Sequence, residues 1–375
     1  MVEQRIWRDF NFFLVVCVLV LLSISLISVY SATLTAVTAN GTPLHILFPR
    51  HIINILLGLV AMVAVVFLDY RLLSAFAAPF YLGSIIVLAS VLVLGEMTGG
   101  AQSWLLVGTR TFQPSEFSKL LIIIVLAAYW SHFDDQRSQW TIQAGSLLLV
   151  GIPFLLVMLQ PDFGTALVFL AIWVVMAWDS GIRWQYLLLV GTLALPLAVV
   201  GWQHVLTEEQ RARLLTFYWL IVDPTKVDPN EGYNIIQSLG AIEAGGLLGT
   251  GLTHGVHSQG NYVPVQYSDF IFSVIAEEMG FVGGTMLLLL HGLFLWLTLS
   301  IAHRARDTFG RLIAIGIFGM VLAHVLVNVG VTMSIMPVTG IPLPFISYGG
   351  SFTIIVLVAV GLLESIAMRW RKIVF

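Results

Sequence analysis

The sequence predicts an all-α polytopic membrane protein with about ten transmembrane helices. Of its 375 residues, 58% are hydrophobic and only 10% charged, and the mean hydropathy is +0.95, well above the roughly 45–50% apolar content of a soluble domain. The apolar residues fall in runs of about 20, the length that crosses a bilayer, divided by short Gly/Pro/Asn or charged connections. The net charge of -3 and the lack of any Lys/Arg run exclude nucleic acid as the main partner.

The first run, 11–34, follows MVEQRIWRDF without a small-residue cleavage site, so it is expected to be a retained span and not a cleaved signal. Further runs lie at 51–68, 72–95, 115–131, 141–159, 163–178, 184–203, 269–302, 312–335 and 351–368. Only the short turn Gln160-Pro161-Asp162 separates the fifth run from the sixth. The seventh and eighth enclose one large loop, about 204–268, within a single integral membrane domain spanning 1–375. That loop is expected to be structured, because Ile235, Ile236, Leu239 and Ile242 recur at helical spacing before a series of glycines, as in an interfacial amphipathic helix. Cys17 is the only cysteine and lies inside the first run, so no intrachain disulfide or CxxC site exists.

Basic residues orient the chain. With a cytoplasmic N-terminus, eleven of the 17 Lys and Arg fall on the inner side and six on the outer. Both termini are thus expected in the cytoplasm. Four polar or Gly/Pro-rich features then share the outer face: 99–115, the turn at Asp162, the large loop, and 336–350. The last carries Pro337, Pro342 and Pro344. Irregular backbone near membrane depth needs shelter from protein or a wet cavity, so a cavity opening outward is expected.

The acids within this pattern are the candidates for chemistry, since an unpaired charge in a membrane span costs several kcal/mol or more. Asp269 follows Ser268 where a polar loop meets the eighth run. It reads as a helix-start acid favoured by the helix dipole, as a general base for a sugar hydroxyl, or as both. Glu277 and Glu278 follow inside the same run; a structural pairing with a buried polar group such as Asn328 outweighs catalysis for either. Glu116 and Lys119 share a helix face three residues apart. They form an intrahelical ion pair, or Lys119 and Arg110 meet a phosphate while Glu116 binds a divalent cation (Mg or Mn). Asp162 is a turn and N-cap residue or a cavity-lining acid. Arg211 and Arg213 either anchor the loop to headgroups or bind a pyrophosphate bidentately. His254 and His257 lack a third metal ligand, and no HExxH, GxSxG or Walker motif occurs.

At these motifs the chain resembles the SEDS (shape, elongation, division, sporulation) family, the RodA/FtsW membrane proteins. The resemblance runs nearly full length, through GGAQSWLLVGTRTFQPSEFSKL, QPDFGTA, QRARLLTF with Asp223-Pro224, GYNIIQSLGAIEAGGLLGTGL, SDFIFSVIAEEMGFVGG and PVTGIPLPFISYGGS. It implies a peptidoglycan glycosyltransferase that polymerises lipid II outside the bacterial cytoplasmic membrane. It implies Asp269 as the family's essential aspartate, functional importance for Glu116 and Lys119, and Arg211 and Arg213 as its loop arginines. Short tails favour the RodA-like elongation branch. Upstream of Asp269 the wording departs from the family's LPEQHTDFIF: Val265 stands for the acid and Tyr267-Ser268 for His-Thr. The family also implies a class B penicillin-binding protein as transpeptidase partner. Two other readings are a lipid II flippase, which needs no base, and a scaffold that only activates that partner.

Overall fold

The computed structural model describes residues 9–37, 43–98, 101–107, 110–204 and 206–369. Helices α1 (Phe12–Leu34), α2 (Leu47–Phe67) and α3 (Ala77–Leu94) open the bundle. They are followed by α4 (Pro114–His132), α5 (Trp140–Leu159), α6 (Phe163–Asp179) and α7 (Trp184–His204). Three of these starts carry a local reason: Asn11 accepts from the Leu14 amide, Pro114 occupies the first turn of α4, and Asp162 accepts from the Thr165 amide, the roles those residue types favour. Among the described residues, nine helices are long and apolar enough to cross a membrane. The tenth expected span is α6, whose 17 residues reach about 26 Å.

The large loop is structured as expected, and more fully. Helix α8 (Glu208–Val222) begins with a reciprocal capping box between Thr207 and Gln210, which satisfies two orphan backbone donors. Helix α9 (Pro229–Gly245) is the amphipathic segment, burying Ile235 while Ile236 stays exposed. The short α10 (Val256–Gln259) precedes α11 (Ile271–Arg304), α12 (Thr308–Thr332) and α13 (Gly350–Met368). One feature lies outside the all-helical reading: β1 (Glu96–Thr98), β2 (Ala101–Val107) and β3 (Arg110–Phe112) form an antiparallel meander, with Glu96 opposite Trp104 and Leu105 opposite Phe112.

Burial runs from centre to edge. Within the span windows, 89% of α13, 78% of α12 and 72% of α4 is buried but none of α7, so the first three form the axis and α7 faces its surroundings. Helix α11 breaks at Gly280, where φ is 66°. The broken turn is repaired by the strand of loop beside it: Thr250 and Gly251 donate to the Glu277 and Glu278 carbonyls, and Phe281 and Val282 to those of Gly246 and Leu247. A side chain at Gly280 would meet the Leu247 and Gly249 backbone, so both conformation and space require glycine there.

The segment 336–349 lies inside the bundle end without regular structure, and its carbonyls are met by donors from the helices. Asn328 Nδ2 donates to Ile341 O at 2.8 Å, His324 Nδ1 to Pro342 O at 3.1 Å, His291 Nε2 to Pro344 O at 3.0 Å and Ser25 Oγ to Ile346 O at 2.7 Å. This is how non-helical backbone survives at membrane depth: neighbouring helices satisfy it.

Candidate active site

The four polar features expected on one face converge on a single cavity of about 960 Å³. Its walls come from β2 and the start of α4, the Pro161–Gly164 turn, α8, the 265–270 segment, the 337–342 loop and the start of α13. Asp269 stands among them, half-buried. Its backbone is set by a turn in which the Val265 carbonyl accepts from both the Ser268 and Asp269 amides. Val265 has φ 51°, a left-handed conformation that a β-branched residue adopts only when its surroundings impose it. The N-cap of α11 is Phe270, with no capping side chain. The Asp269 carboxylate therefore faces the cavity and does not cap the helix.

The Asp269 carboxylate accepts from Ser268 Oγ at 2.9 Å, and Asn328 Nδ2 fixes its backbone carbonyl at 2.9 Å. Burial pushes its pKa above the ordinary carboxylate value, the negative charge of Asp162 adds to the rise, and the Ser268 hydroxyl and Arg213 offset part of it. A carboxylate so placed is a stronger base than a solvated one.

Arg213, on α8, lines the same cavity together with Glu209 and Gln210. Gln210 Nε2 ties α8 to the floor by donating to the Pro161 carbonyl at 2.8 Å. Asp162 combines both roles open to it: one oxygen caps α6 at Thr165 and the other accepts from Gln113 Nε2 at 3.2 Å, at the cavity wall. Gly164 makes the close approach possible, since a Cβ there would lie 2.6 Å from the Thr339 carbonyl.

Other sequence candidates lie away from the cavity surface. Glu116 and Lys119 form the expected ion pair, at 2.8 Å and almost wholly buried, and neither lines the cavity. Lys119 Nζ also donates to His324 Nε2 at 2.8 Å, beneath Phe117 and Phe352, which do line it. Glu116 Oε2 holds the Lys119 ammonium, the ion-pair alternative of the two. Arg211 donates to the Gln203 carbonyl at 2.9 Å and is absent from the lining. Arg110 lies on β3, with its side chain outside the described residues.

Glu277 does not pair with Asn328: it accepts from the His257 and Ser258 amides at 2.7 and 2.9 Å, while Asn328 Nδ2 is engaged with the Asp269 and Ile341 carbonyls. Glu278 accepts from Ser31 Oγ at 2.5 Å and Gln259 Nε2 at 3.3 Å. The His254 and His257 rings have separate partners, the Leu252 carbonyl and Gln237. Sequence reasoning did not single out Arg50 or Asn54, and took Gln113 only as part of the QPSEFSKL motif; all three line the cavity.

The fold and this site define a multi-pass helical membrane protein with a carboxylate-centred polar cavity at one end of its bundle. A family model described as "Cell cycle protein", covering FtsW, RodA and SpoVE, matches residues 11–372. The chain belongs to that family. It is 35% identical to stage V sporulation protein E of Bacillus subtilis (strain 168) over 363 residues, 96% of this chain and 97% of that one. It is 36% identical to peptidoglycan glycosyltransferase MrdB of Escherichia coli (strain K12) over 338 residues, 90% of each. Among solved structures, a component of a peptidoglycan synthase complex that coordinates polymerization and crosslinking matches with TM-score 0.79 at 32% identity, over 96% of this chain and 97% of that one. The rod shape determining protein RodA of Thermus thermophilus matches with TM-score 0.69 at 30% identity, over 96% of each.

Proposed function

We propose that this protein is a peptidoglycan glycosyltransferase that polymerises lipid II into glycan strands during cell elongation. It works at the outer face of the bacterial cytoplasmic membrane, with both termini inside. The observation that carries the reading is Asp269: a carboxylate of raised pKa, in a cavity large enough for sugars, beside an arginine of the same wall. The relatives named peptidoglycan glycosyltransferases support it at matching length, and the basic-residue bias supports the orientation.

In the proposed reaction Asp269 takes the proton of the acceptor GlcNAc 4-hydroxyl as that oxygen bonds to the anomeric carbon of the donor MurNAc. The bond from that carbon to the pyrophosphate breaks, its electron pair leaves with undecaprenyl pyrophosphate, and the configuration inverts. Arg213 offsets the growing negative charge, the role in which a preorganised cation contributes most. Asp162 and Gln113 shape the adjacent wall. No step runs through a cation at Glu116, and Lys119 acts from beneath the surface. The partner is a class B penicillin-binding protein that cross-links the strand, consistent with the assembly named for the matched structure.

The test is polymerisation of purified lipid II, with and without that partner. Asp269→Asn is expected to lose about 10³-fold or more of the activity, the upper part of the range for a general base, while still purifying as a folded protein. Glycan made at the wild-type rate by Asp269→Asn would remove the base, and movement of lipid II across vesicles without glycan would favour a flippase.

A further inference from the structure

Lys119 is fully buried, with its ammonium near Phe352 beneath the cavity. Its Nζ has Glu116 Oε2 on one side and His324 Nε2 on the other, both at 2.8 Å. An ammonium only donates and a proline carbonyl only accepts. The His324 ring, bonded to Lys119 through Nε2 and to Pro342 O through Nδ1, is thereby fixed as the neutral Nδ1–H tautomer. It is stacked on Phe352 with centroids 4.7 Å apart, and Phe352 faces the cavity.

His324 is also one helical turn from Asn328 on α12, and Asn328 Nδ2 bridges the Asp269 and Ile341 carbonyls. Adjacent carbonyls of the loop, at 341 and 342, are thus held by adjacent turns of one helix. Between them and the base lies Gly340, whose Cα hydrogen side faces Asp269: a Cβ there would be 3.5 Å from Oδ2. The position of the loop against the carboxylate is set from α12.

We propose that His324 is a positioning residue for the transfer reaction, carrying the orientation imposed by the Glu116–Lys119 pair to the Pro342 carbonyl and so fixing the Gly340–Pro342 floor against Asp269. This rests on Asp269 being the base. It assigns Glu116 and Lys119 a part in catalysis through His324 and the loop, without contact to a substrate phosphate. A side chain at 324 must accept on one side and donate on the other. Glutamine can do both and leucine neither.

The experiment compares His324→Gln and His324→Leu in lipid II polymerisation and in hydrogen exchange of segment 339–349. His324→Leu is expected to lower kcat about 10–100-fold with KM within about 2-fold, the scale on which small misplacement of a catalytic group acts. His324→Gln is expected to stay within about 3-fold of wild type. Combining His324→Leu with Lys119→Met should cost little more than either alone, as for residues acting as a unit. Faster exchange over 339–349 in His324→Leu but not in His324→Gln tests the floor whether or not glycan is made, separating failure of this inference from failure of the enzymatic reading. A raised KM with unchanged kcat, additive losses, a glutamine variant as poor as the leucine one, or unchanged exchange would each overturn it.

Discussion

Asp269 and Glu277 lie eight residues apart in one segment, and the structure treats them oppositely. Glu277 is sealed from solvent and accepts two backbone amides from the turn at 257–258. Asp269 receives one hydroxyl, faces a cavity, and has its pKa raised by burial. The difference teaches how donor supply and access separate two neighbouring acids. Two backbone amides fill the acceptor positions of Glu277, whereas Asp269 has a single hydroxyl donor and lines the cavity.

The largest effect expected from breaking this contrast is on Glu277. Glu277→Ala leaves two buried amides without an acceptor, a loss of about 3 kcal/mol that should lower the melting temperature in detergent by about 6 °C. An unchanged melt would show that the turn at 255–258 finds other partners. Next comes Arg213→Ala, expected to lower kcat about 10²-fold, as for a lost donor to developing charge, and to shift the pH profile as well. As the proposed base Asp269 would have to be ionised, so activity is expected to rise with pH through its raised pKa. Loss of Arg213, which lowers that pKa, should move the rising limb to higher pH; a shift to lower pH would place Arg213 elsewhere.

Asp269→Asn sharpens the comparison with a smaller change of opposite sign. Because the folded state holds the Asp269 pKa above its unfolded value, the stability tied to its protonated form is lost as pH rises through the folded pKa. At neutral pH the ionised group is a cost that asparagine removes. The variant should melt about 1–3 °C higher, measured beside the falling melt of Glu277→Ala; a lower melt would mean that the anion is well supplied with donors. The smallest effect is expected at Arg211, whose bond is to the Gln203 carbonyl: Arg211→Ala should change the polymerisation rate by less than about 3-fold. A loss equal to that of Arg213→Ala would bring both arginines to the substrate.

Much of the fold was legible because hydropathy alone marks spans of about 20 residues, and the Pro and Gly clusters at 99–115, 160–162 and 336–350 marked the cavity rim. The meander was not read as strands, because 99–115 reads from the sequence only as a polar, Gly-rich connection between two runs. Helix α8 escaped notice because its apolar residues show no clear face; its capping box, Thr207 with Gln210, was the available signal. Asp162 was legible as a candidate cavity-lining acid and Asp269 as an acid out of place at a span boundary; Arg213 was singled out as a loop arginine, and its place on the cavity wall came from the structure. The backbone partners of Glu277 and the His324 contact of Lys119 were not, since an amide 20 residues away and a histidine 205 residues away leave no local trace, whereas the Glu116–Lys119 pair was legible from its three-residue spacing.

The irregular loop at 341–346 is gripped by its carbonyl oxygens, which every amino acid possesses. Its polar constraint is therefore written elsewhere, at Ser25, His291, His324 and Asn328 on three different helices. Across descendants of this gene, those four sites should drift only among residues able to offer a hydrogen, even though none of them belongs to the segment whose shape they preserve.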